Sequence, residues 1–220
     1  MITYSEIMKY HNKLGLIWKL PTIPHESVIL INELNPKDRV LDLGCGNGWV
    51  YHDVLLPAGY DGEYVGYDDD KSLIAKDFKL YHDWDELVRN EERFDVVIIF
   101  NLLEHLDFEH VINWLEFISK NLMKKKSKML ILTPNVFCFD YLFKDPQHKT
   151  FWSFEALYGL LKALNFDKIS MWRCKGYHQL RKGIWNERQI EICKALFLDW
   201  YGNILALGAR GKENVQARTS

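Results

Sequence analysis

The run Val40-Leu41-Asp42-Leu43-Gly44-Cys45-Gly46-Asn47-Gly48-Trp49 decides how this chain is read. A short aliphatic strand ends in three glycines before a helix is expected to begin. In an open parallel sheet, ligands lie at the carboxyl ends of the strands, and glycines there let backbone N–H groups come close to them. A dinucleotide fingerprint would need a third glycine where Trp49 stands, and no Gly-Lys-Ser/Thr follows the turn. The turn is therefore expected to cradle a nucleoside cofactor without a pyrophosphate. The plainer alternative is an ordinary strand-to-helix turn.

Outward from that turn, apolar runs bounded by polar residues predict strands at Tyr64–Tyr67, Phe94–Phe100, 128–133, 168–173 and 204–207. Helical spacing joins Val111, Leu115, Ile118 and Leu122, then Phe154, Leu157, Leu161 and Leu164, then Ile190, Cys193, Phe197 and Trp200. A further helix is expected at 25–34. Strands alternating with helices imply a Rossmann-like, doubly wound α/β sheet with helices on both faces. Residues 1–35 are expected to form a helical cap over the site, 36–210 the cofactor-binding domain, and 211–220 a disordered tail.

With 220 residues, 48% of them hydrophobic, the chain can bury one sizeable core. Its formal charge of -2 gives no whole-surface reason to expect nucleic acid or an anionic membrane as partner. Cys45, Cys138, Cys174 and Cys193 form no C-x-x-C pair, which argues against a structural zinc site. The longest apolar run, 96–100, is far shorter than the roughly 20 residues of a membrane span. A cytoplasmic protein with no membrane partner is expected. Lys124-Lys125-Lys126 reads as charge matched to a helix end.

The strand at 64–67 runs into Asp68-Asp69-Asp70, and Asp68 lies about 20 residues beyond Gly48, where a carboxylate can accept both ribose hydroxyl protons. Together VLDLGCGNG, YVGYD, FDVVIIFNLLEHL and LTPN, in that order, resemble the class I S-adenosylmethionine (SAM) dependent methyltransferases over roughly residues 39–169. The resemblance implies a sheet of about seven strands, the last antiparallel and supplied by 204–207, and SAM as cofactor. It places Asp42, Gly44, Cys45, Gly46 and Gly48 around the methionine part, Asp68 and Asp69 at the ribose, and Asn101 beneath the sulfonium. Asp83 and Trp84 would hold the adenine, although the stretch between Asp70 and Lys79 is shorter than the helix usual there.

Methyl transfer to an alcohol or phenol requires removal of a proton, which suits a histidine or a metal. Glu104-His105 follows the fourth strand and His148 the fifth, so these three are the candidate catalytic residues. A helix-start role for Glu104 and His105, and a solvated loop for His148, are the structural alternatives. The same segment resembles methyltransferases of sugars and ubiquinone precursors, which implies O-methylation of a small-molecule or glycan hydroxyl. Relatives that methylate the terminal ribose of small RNAs carry a metal on E-x-x-E-H, but Asn101 replaces the first glutamate, so no metal is expected. An RNA ribose methyltransferase remains an alternative, as does a noncatalytic SAM-binding or partner-binding module. For the RNA reading, Lys175, Arg181, Lys182 and Arg188 would supply the basic groove.

Overall fold

The computed structural model describes residues 2–9, 20–23, 25–90, 92–138, 145–174 and 201–211. An eight-stranded sheet organises the molecule: β1 (Thr22–Ile23), β2 (Val40–Leu43), β3 (Tyr64–Tyr67), β4 (Lys79–Tyr81), β5 (Phe94–Phe100), β6 (Met123–Pro134), β7 (Lys168–Cys174) and β8 (Asn203–Ala209). Their spatial order is β1-β7-β8-β6-β5-β2-β3-β4. Every pairing is parallel except those of β8, which runs antiparallel to both β6 and β7. The expected last antiparallel strand is thus present, and the strand count exceeds seven by including the two-residue β1.

Alternation along the strands divides the core between the two faces. Leu41, Val97, Ile99, Met129 and Ile131 point to one face, where α4 (Phe108–Asn121) and α5 (Phe154–Ala163) cover them. Val40, Val96, Ile98, Leu130 and Leu132 point to the other, under α2 (Ser27–Glu33) and a π-helical turn, Val50–Leu55. Both faces are dry, which is why these strands read as continuous apolar runs. Between β4 and β5 lies α3 (Trp84–Arg89).

The amino-terminal helix α1 (Tyr4–Met8) opens with a capping box in which Thr3 and Glu6 bond reciprocally. Its Ile7 is buried so closely on α5 that a Cβ at Gly159 would meet the Ile7 carbonyl oxygen. Expectations for 10–19, the linker 175–187 with its basic residues, the helix at 189–200 and the tail beyond 211 lie outside the described residues.

One sequence expectation is corrected by the sheet. Lys124–Lys126 belong to β6 rather than to a helix end. Met123 pairs with Phe94, a register shift follows, and the Lys124 ammonium reaches Asp95 at 2.7 Å. Lys124 therefore answers a neighbouring strand's carboxylate, on an irregular stretch where the register shifts. No described helix is long and apolar enough to cross a membrane.

Candidate active site

All the parallel strands deliver their carboxyl ends to one edge, and β8 brings its first residue there, since Asn203 pairs with Pro134 and Cys174. Two cavities lie along that edge. The smaller, about 410 Å³, is lined by residues that include Gly44, Tyr67, Asp68, Asp69, Trp84 and Trp114. The larger, about 890 Å³, includes Trp49, Asn101, Glu104, His105 and His148 in its wall. Asn101 lines one and its neighbour Leu102 the other.

The glycine turn closes on the end of β3. Gly44 and Cys45 donate their backbone N–H groups to the Tyr67 carbonyl at 2.8 and 3.2 Å, and Gly46 N–H donates to Asp68 Oδ2 at 2.9 Å. The other Asp68 oxygen accepts from Asp70 N–H at 3.1 Å. Gly48 has φ +76, and a Cβ there would stand 2.6 Å from the Phe78 ring. At Gly46 the space is open, with nothing within 4 Å of where a side chain would begin. A turn of bare backbone beside an anchored carboxylate is a fitting cradle for the amino acid and ribose parts of SAM.

Aromatic rings build the rest of the smaller cavity. Trp84 meets Tyr67 edge-on at 5.4 Å and Trp114 at 5.1 Å. Asp69 is exposed at its rim, while Asp83 accepts from Glu86 N–H at 3.0 Å and caps α3. As the short sequence between Asp70 and Lys79 suggests, no helix forms there. Tyr67, Leu102, Leu106, His110 and Trp114 escaped the sequence reading. The i, i+4 pair His110 and Trp114, on a helix directly after Leu-Glu-His, is the signal that could have found two of them.

Asp42 sits beneath the turn and is not among the residues lining either cavity. It is 2% exposed, accepts the Tyr64 hydroxyl proton in a short hydrogen bond, and burial pushes its carboxyl up to about 7. Cys45 is also buried; desolvation, then the charges of Asp42 and Asp68, hold its thiol well above the usual range. It is a packing residue, not a nucleophile.

In the larger cavity, Asn101 takes a left-handed conformation (φ 51), which asparagine tolerates better than most residues, and its N–H donates to Leu132 O at 2.9 Å. Glu104 is 2% exposed, and Thr133 Oγ1 donates to it at 3.3 Å. Desolvation, with the nearby charge of Asp145 adding, pushes the Glu104 carboxyl up to about 7. The strap carrying His148 is tied to the Glu104 turn: Lys149 and Thr150 N–H groups donate to Glu104 O at 2.7 and 3.1 Å. The His105 and His148 rings stand 5.0 Å apart, and one potential ligand atom from each of Glu104, His105 and His148 lies within 4.8 Å of the others. His148 Nδ1 is buried with no protein partner. One carboxylate and two imidazoles can hold a proton, and they are also a donor set that fits a divalent transition-metal ion. Sequence reasoning missed His25, Glu26, Trp49, Asp53 and Asn203 in this wall.

Comparison with known proteins agrees with this geometry. Residues 25–171 match the family described as a methyltransferase domain. No curated protein matches the chain by sequence. Among solved structures, a SAM-dependent methyltransferase from Archaeoglobus fulgidus is 22% identical, with a TM-score of 0.66 over 83% of this chain and 90% of that one. The small RNA methyltransferase HEN1 is 16% identical (TM-score 0.57), and 85% of this chain spans only 25% of it. An O-methyltransferase family protein from Burkholderia thailandensis is 14% identical (TM-score 0.52), covering 84% of this chain and 55% of that one. At these identities the structural neighbours speak for the fold. With the family match spanning most of its length, the chain belongs to the methyltransferase domain family and is a SAM-dependent methyltransferase.

Proposed function

We propose that the enzyme methylates a hydroxyl oxygen of a small-molecule or glycan acceptor held in the larger cavity. The observation that carries this reading is the convergence of Glu104, His105 and His148 within 4.8 Å on that cavity's wall. SAM supplies a methyl group on a positively charged sulfonium. As the acceptor oxygen bonds that methyl, the S–CH3 bond breaks with its electron pair left on the sulfur of the departing S-adenosylhomocysteine, and the oxygen's proton passes to the histidine pair, with His148 the better placed because one ring nitrogen has no protein partner. Glu104, its carboxyl raised to about 7 by burial, stands within 4.8 Å of the pair, where its ionised form answers the imidazolium charge.

A second reading is favoured by the same three residues: a divalent ion held there would acidify the hydroxyl as a Lewis acid. An RNA acceptor has less support, given the formal charge of -2. The test is methyl transfer from tritiated SAM to a panel of sugars and phenols, using wild type, Glu104→Gln, His105→Asn and His148→Asn. We expect His148→Asn to lose about 100-fold in kcat while binding S-adenosylhomocysteine (SAH) normally. Full turnover in both histidine variants would overturn the base assignment. Loss of wild-type turnover in EDTA, restored by Mn²⁺, would select the metal-assisted route, and cofactor binding with no transfer to any hydroxyl would sink the O-methylation reading.

A further inference from the structure

The larger cavity has a bias that hydroxyl chemistry alone does not require. Glu26, Asp53, Glu104 and Asp145 line it, and none of its described lining residues is a lysine or arginine. Glu26 is itself buried at 7% exposure, where burial pushes its carboxyl up, and its ionic contact is His25 Nε2 at 3.3 Å. His105 and His148, the other groups able to carry positive charge among its described lining residues, stand with Glu104 within 4.8 Å of one another. Among the described lining residues, an anionic acceptor would therefore meet carboxylates with no lysine or arginine to offset them.

A second, independent observation points the same way. Asn203, 7% exposed at the start of β8, lines the cavity, and its Oδ1 is buried without a hydrogen-bond donor from the protein. A buried carbonyl oxygen needs a donor, and an occupant of this cavity is what can bring one. The Trp49 ring shares the wall, and an indole face attracts cations and the C–H faces of sugars. Acceptor oxygens and an aromatic face, with no lysine or arginine among the described lining residues, suit a ligand rich in donors.

We propose that the acceptor cavity selects a hydroxyl-rich compound bearing a protonated amine, an amino sugar or amino polyol, over neutral or phosphorylated analogues. This inference rests on the larger cavity being the acceptor site. Glu26 and Asp53 contribute the charge, Asn203 Oδ1 accepts from a hydroxyl or ammonium group, and the transferring hydroxyl lies toward Glu104 and the histidines.

The test is binding without turnover. SAH-loaded protein is titrated with glucosamine, glucose and glucose 6-phosphate, read by ligand-observed NMR at low salt. Glucosamine should bind about threefold or more tighter than glucose, glucose 6-phosphate should bind weakest, and the amine advantage should shrink in Glu26→Gln. Asp53→Asn repeats the test at an exposed position where folding is not at stake. Equal binding of glucosamine and glucose, preference for the phosphate, or no binding of any probe would overturn the proposal. None of these outcomes touches the O-methylation reading, which stands or falls on where the tritiated methyl goes.

Discussion

The smaller cavity is walled by Tyr67, Trp84, Trp114 and two leucines with Asp68 beside the glycine turn, whereas the larger holds carboxylates and histidines. The first comes from the carboxyl ends of β2, β3 and β5 and the helices that follow β4 and β5. The second draws in α2, the π-helical turn, the strap at 145–148 and the first residue of β8. On the proposed assignment, the cofactor side is built from contiguous motifs at fixed offsets, and the acceptor side from residues that only the tertiary fold assembles.

That division makes the two halves separable by experiment. The largest effect is expected from Asp68→Ala, which removes the carboxylate that anchors Gly46 N–H and faces the cofactor cavity. SAH affinity by calorimetry should fall about 10- to 100-fold. Binding unchanged in that variant would break the assignment of the smaller cavity to the cofactor. Next comes Gly48→Ala, which asks an alanine to hold φ +76 with its methyl against the Phe78 ring. A loss of about 1–2 kcal/mol in chemical denaturation is expected.

Trp84→Ala should weaken SAH by a smaller factor, about 3- to 10-fold, through loss of one aromatic wall. If glucosamine binding to the larger cavity fell as much, the two sites would be less independent than their linings suggest. The smallest expected effect concerns pH. Asp42 and Glu104 are both raised to about 7 by burial, so the folded protein holds protons that the unfolded chain has released. Stability from these groups is present in full at acid pH below their unfolded values and is lost as pH rises through about 7. Between pH 8 and pH 6 the Tm of the wild type should rise by roughly 2–4 °C, and Asp42→Asn should flatten that slope. A flat wild-type profile would show that Asp42 is ionised in the fold.

Legibility follows the same divide. Phe94–Phe100 can be bounded from the sequence because all but Asp95 is apolar and polar residues stand at both ends. β1 and β4 cannot, since Thr22–Ile23 and Lys79–Tyr81 are too short to display a period. Glycines followed by an acid at a set distance point to Gly44, Gly46, Gly48 and Asp68 because backbone approach and ribose geometry constrain them. Glu26, Asp53 and Asn203 carry no such constraint: each is an ordinary polar residue until α2, the π-helical turn and β8 are packed side by side. Asp83, assigned to adenine by its resemblance to a family motif, caps α3 through its Oδ1, a role that its place before a helix also makes legible.

Strand β8 has a consequence for how the enzyme is made. It is the last of the described strands in sequence yet lies between β6 and β7, hydrogen-bonded to both along its whole length. During synthesis the chain through β6 can already assemble the neighbours β6-β5-β2-β3-β4, with the glycine turn and Asp68 among them, whereas β7 finds its inner partner only when β8 leaves the ribosome. A nascent chain arrested before Asn203 is expected to bind SAH while lacking one residue of the proposed acceptor wall. On the proposed assignment, vectorial synthesis would complete the methyl donor's side first and leave the Asn203 corner of the acceptor wall to the last of the described strands.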